Sequence, residues 1–122
     1  MFHEENGLVY EYTDLGNGRF TDVQYGYATR FKAANDALQT QVNVPISLVF
    51  DVEVFDSVSG AYQKSSESVS NAQIMVADGS GIPVTAQNGE VDYQFESPTA
   101  GQFTVNCVAP GVKTGTIIVN VV

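Results

Sequence analysis

Apolar and polar side chains alternate with a period of two through much of this 122-residue chain. A pleated strand with one dry and one wet face has that period, and a helix does not. In residues 44–54 every even position is apolar, while Ser47, Asp51 and Glu53 stand among the odd ones. Val91, Tyr93 and Phe95 alternate with Glu90, Asp92, Gln94 and Glu96. Phe103, Val105, Cys107 and Ala109 share one face of a further strand, and Ile117, Val119 and Val121 share one face of the last. Residues 72–77 and 83–86 are shorter, β-rich runs bounded by turn residues. Turn chemistry recurs at 56–60, 78–81, 88–89, 98–101 and 110–111, a spacing that predicts a sandwich or barrel. Only residues 32–41 have a helix-compatible composition, and the Ser-rich stretch 63–70 reads as a loop.

The first 27 residues differ from the rest. Residues 8–13 and 20–27 flank Asp14, Leu15, Gly16, Asn17 and Gly18, which predicts a hairpin. Tyr10 and Tyr12 lie two apart, as do Tyr25 and Tyr27, so each pair is expected to put both rings on one face. The organisation expected is an all-β chain: a Tyr-rich N-terminal hairpin, residues 1–27, packed on a sandwich, residues 28–122.

Composition narrows the function classes. An apolar fraction of 43% against 16% charged residues is that of a folding chain. The net charge of −9 repels a phosphate backbone and an anionic membrane surface, so no nucleic-acid partner and no membrane insertion are expected. His3 is the only histidine and Cys107 the only cysteine, which leaves no His-based catalytic triad, no Cys/His zinc set and no intrachain disulfide. No apolar run approaches the length of a membrane span, and residues 1–5 lack the basic start and apolar run of a signal peptide, so an exported form is expected to be an excised piece or a mature form.

From about residue 28 onward, the order of segments resembles the bacterial immunoglobulin-like domains of invasin- and intimin-type surface proteins. An apolar strand ending in Asp56-Ser57-Val58-Ser59-Gly60 is followed by Asn71-Ala72-Gln73-Ile74-Met75-Val76, similar to that family's strand with a small residue before an alternating pair. Asn88-Gly89-Glu90-Val91-Asp92-Tyr93-Gln94-Phe95 resembles its glycine and alternating strand. Ala100-Gly101-Gln102-Phe103-Thr104-Val105 and Gly115-Thr116-Ile117-Ile118-Val119 resemble its last two strands. The resemblance covers about three quarters of the chain and implies an immunoglobulin-like β-sandwich. The long stretch 61–70 and the Tyr-rich start depart from the family's pattern.

The site candidates are of two kinds. Tyr10, Tyr12, Tyr25 and Tyr27 offer rings that either complete the core or stack on a glycan or anchor a protein partner. No cofactor is expected; the alternative is calcium, for which Asp14, Asn17 and Asp22 in one predicted turn and Asp78 in another offer oxygen ligands, though neither turn has the EF-hand pattern. Carboxylate pairs such as Asp51/Glu53 and Glu90/Asp92 fall on water-facing positions, where they serve solubility. His3 is expected to be a solvated terminal residue. The function expected is non-enzymatic: a spacer or display module in an extracellular or cell-surface protein of a bacterium or phage, its partners being neighbouring domains. The alternatives are a glycan- or protein-binding module using the tyrosines, and an accessory domain of a secreted hydrolase.

Overall fold

A computed structural model describes residues 1–76 and 81–122. The chain runs through β1 (Phe2–Glu5), β2 (Leu8–Gly16), β3 (Arg19–Tyr27), β4 (Thr29–Ala33), β5 (Ala37–Thr40), β6 (Ile46–Asp56), β7 (Ala61–Lys64), β8 (Gln73–Met75), β9 (Gly81–Pro83), β10 (Glu90–Phe95), β11 (Gly101–Ala109) and β12 (Val112–Val121). There is no helix among the described residues, and hence none long and apolar enough to cross a membrane.

The fold is an all-β sandwich carrying a separate N-terminal sheet. One layer is β10-β6-β4, with β7 folded back on the far half of β6; the other is β12-β11-β8-β9, with β5 alongside β12. The opening strand is split between layers, since β4 pairs antiparallel with β6 while β5 pairs parallel with β12, and a single parallel bridge between Arg30 and Lys113 joins the layers at that edge. Residues 32–41, the one stretch of helix-compatible composition, form the end of β4, a kink and β5. Packing decides this, because Phe31 and Ala33 on β4 are buried in the core and Leu38 on β5 packs against it.

The alternation read from the sequence sets the core. Leu48, Phe50 and Val52 from β6 and Val91 and Phe95 from β10 meet Ile74, Val105, Cys107, Ile117, Val119 and Val121 from the opposing layer. Ile46, Tyr93 and Phe103 line the margin of this cluster, partly buried. At Gly115 the layers approach closely: a Cβ there would lie 2.8 Å from the Phe31 carbonyl oxygen and 2.9 Å from a ring carbon of Phe50. The strand expected at residues 83–86 sits earlier, at β9, and only Gln63 and Lys64 of the expected 63–70 loop are taken into β7. Asp78 and its turn lie outside the described residues.

Two measurements test this packing. Phe50→Ala, which empties a fully buried ring site, is expected to cost about 3–5 kcal/mol in chemical denaturation, whereas Asp92→Ala on the wet face of β10 stays within about 0.5 kcal/mol. Burial pushes the Cys107 thiol up to about 12. A disulfide reagent at about pH 8 is therefore expected to leave the folded protein unmodified and to label it fully once urea unfolds it.

Candidate functional site

The N-terminal sheet has the order β1-β2-β3, built from two tight antiparallel connections. Asn6 and Gly7 join β1 to β2 with φ of 55° and 79°, and Asn17 and Gly18 join β2 to β3 with φ of 55° and 72°. Positive φ at both central residues is the requirement of a type I′ hairpin turn, which Asn-Gly meets at low cost. The sequence reading missed β1; its signal was Asn6-Gly7 standing between Glu5 and Leu8.

Register assigns the side chains to faces. Within β3 the ladder slips: Val9 faces Gly26 but Tyr10 faces Gln24, leaving Tyr25 as the extra residue of a bulge. Tyr10 and Tyr12 therefore share one face, as expected, but Tyr25 and Tyr27 do not share one. Tyr27 pairs with Leu8 on the Tyr10 side, whereas the Tyr25 ring turns to the other side and packs edge-on against Phe2 at 5.0 Å. The four tyrosines form no single platform.

The Tyr25 side is a seam to the sandwich. Phe2 and Tyr25 both meet Phe55 of β6, at 5.0 and 5.3 Å, and Phe55 meets Tyr62 of β7 at 5.3 Å. Edge-to-face and tilted pairs at these separations are favourable beyond the area they bury. The Tyr62 hydroxyl donates to the Tyr27 carbonyl at 2.6 Å, and its ring lies 3.8 Å beneath the Arg30 guanidinium, which is held in turn by Glu53 through contacts of 2.8 and 2.7 Å. Backbone bonds from Ala28 N–H to the Gly7 carbonyl and from Phe55 N–H to the Ala28 carbonyl complete the junction. Desolvation raises the Tyr62 phenol above its usual value, with the Arg30 charge opposing and Tyr25 assisting.

The opposite face is open to water. His3 stacks on Tyr10 at 5.5 Å and its Nε2 lies 2.8 Å from Asp22 Oδ1, so the expected free terminal histidine is a fixed part of this surface. Tyr12 stacks on Phe20 at 5.1 Å, and Phe20 is 59% exposed. Leu15, Val23, Tyr25 and Tyr27 are exposed large apolar side chains of the same hairpin.

The residues considered for calcium are spent separately. An Asp14 carboxylate oxygen accepts from the Gly16 N–H at 2.8 Å, Asp22 holds His3, and Asn17 makes the turn. Among the described residues no three His, Cys, Asp or Glu side chains converge as a metal site. Elsewhere on the sandwich, Lys64 reaches Asp51 at 3.2 Å and Glu90 at 3.8 Å on the wet side of β6 and β10. The depression of about 450 Å³ lined by Thr85, Gln87, Asn88, Glu90 and Asp92 is open and polar, unlike the apolar enclosure that usually binds a small molecule. No family model matches the chain, and no curated protein matches it.

Two outcomes follow for the seam. Phe55→Ala removes the ring shared by Phe2, Tyr25 and Tyr62, and is expected to speed amide exchange across β1–β3 while leaving the protection of β11 and β12 near that of the parent. Tyr62 has its folded value raised, so its contribution is present in full below the usual phenol value of 10.0 and is lost as pH rises through the folded value. Alkaline titration of the parent should loosen the seam in that window, and Tyr62→Phe should abolish that component.

Proposed function

We propose that this chain is a non-enzymatic structural module, a spacer or display domain of a larger bacterial or phage surface or secreted protein, akin to the immunoglobulin-like repeats its strands resemble. The observation that carries this reading is the placement of the N-terminal sheet and the last strand at opposite ends of the sandwich. The sheet rests on the β6–β7 end through Phe55 and Tyr62. Val122 lies at the other end, where its carbonyl accepts from Val42 N–H and Asn43 N–H bonds to the Ser97 carbonyl. Whatever is fused before or after is held apart by the length of the sandwich.

The ladder supports a load-bearing role. Pulling the two ends apart draws β5 and β12 in opposite directions along their length, and their parallel pairing from Ala37–Ile118 to Thr40–Val121 is strained all at once instead of bond by bond. The neighbouring domains are the partners on this reading, and the location is the cell surface or the medium. A second reading, a binding module for a protein, draws on the exposed Phe20–Tyr12 stack.

Single-molecule stretching of the full chain between its termini tests the spacer reading. Early release of the N-terminal sheet followed by one abrupt, all-or-none rupture of the sandwich is the expected trace. Gradual strand-by-strand extension at low force would contradict it.

A further inference from the structure

The open edge of β3 combines features that the spacer role does not use. This nine-residue strand is bonded to β2 alone among the described residues, and no backbone bond beyond the ladder is made by residues 19–24. A long unpaired edge is a template for another strand, and folds usually blunt it with Lys, Pro or a bulge. On this strand the bulge falls at Tyr25, and a second irregularity, at Leu15 of β2, lies opposite Arg19 and Phe20, so residues 20–24 keep an unbroken register and the stretch is free of proline. Phe20 and Val23, exposed at 59% and 61%, stand on opposite sides of this edge.

Charge decides what fits. Residues 1–27 carry Glu4, Glu5, Glu11, Asp14 and Asp22 against the single cation Arg19. Asp14 and Asp22 share the outward face with the Tyr12–Phe20 stack, since Tyr12 pairs with Asp22 and Asp14 with Phe20. Aromatic π faces beside carboxylates form a setting that attracts Lys and Arg. A second copy brings the same anionic sheet and a net charge of −9 with it, so self-pairing is opposed.

We propose that β3 is a docking edge for a basic, extended segment of a protein partner, which adds as a fourth strand along residues 19–24 and lays its Lys or Arg side chains over Phe20 and Asp22. Backbone pairing supplies affinity, and the alternate side chains select for positive charge. The inference does not depend on the spacer reading; a spacer that holds its load presents this edge equally well.

The test uses the full-length chain and short synthetic peptides of alternating Lys and Val, followed by amide chemical shifts. The Lys peptide is expected to bind with shifts confined to β3 and the Tyr12–Phe20 face. Phe20→Ala and Asp22→Asn should each weaken it by about tenfold. The same peptide N-methylated at alternate residues, which keeps the charge but loses the strand donors, should also bind at least about tenfold more weakly. A Glu-for-Lys peptide should not bind. Absence of binding by the Lys peptide up to about 1 mM, equal binding of the N-methylated form, or shifts spread over Asp92 and Glu96 on the sandwich would overturn the proposal. So would sedimentation showing that the chain alone pairs through β3.

Discussion

β6 is the member on which the other elements depend, because one strand serves two interfaces. Its first half turns Leu48, Phe50 and Val52 into the core, where Phe50 closes against Gly115 of the opposing layer. Its second half runs past that core, pairs with β7 through Glu53–Lys64 to Asp56–Ala61, and presents Phe55 to Phe2 and Tyr25. A two-stranded hairpin or a small isolated sheet is marginal in water unless another surface covers one face. Phe55 and Tyr62 are that surface, so the fold of residues 1–27 is coupled to the sandwich through a few rings.

The electrostatics follow the same division. On the sandwich, carboxylates stand at the wet positions of alternating strands, and Asp51 and Glu90 share Lys64. At the seam a cation is kept close to aromatic area: Arg30 lies over Tyr62 and is balanced by Glu53. Beyond the seam, Asp14 and Asp22 stand among exposed rings, with Asp22 against the His3 ring and Arg19 the one Lys or Arg of residues 1–27. Glu53 is thus paired where the two parts meet, while the outer hairpin keeps an excess of carboxylates.

Period-two alternation made the sandwich legible, because a buried face imposes its pattern wherever strands pack on one side only. Val91, Phe95, Val105, Ile117 and Val119 all lie where that pattern puts them. Residues 32–41 showed no strand signal because a split strand is short and its residues serve two layers, which leaves no sustained period. β1 escaped for a related reason: Phe2–Glu5 has one apolar side chain, and only its Asn-Gly turn marks it. The tyrosines were the hardest to place. Their spacing predicted one ring face in each pair, but the bulge at Tyr25 turns that ring to the seam and splits the second pair, and a bulge leaves no trace in side-chain spacing. Phe20 and His3, which share the outward face with Tyr10 and Tyr12, could be found only once the strand register was known.

The central claim is that the rings of Phe2, Tyr25, Phe55 and Tyr62 make the N-terminal sheet and the sandwich one rigid body. Backbone ¹⁵N relaxation of the intact chain tests it most directly, since the amides of β1–β3 and of β6, β11 and β12 report their own tumbling. The account predicts a single rotational correlation time for both sets, the one proper to a compact chain of 13.1 kDa. A distinctly shorter correlation time for residues 2–27, with the sandwich tumbling as a smaller particle, would contradict it.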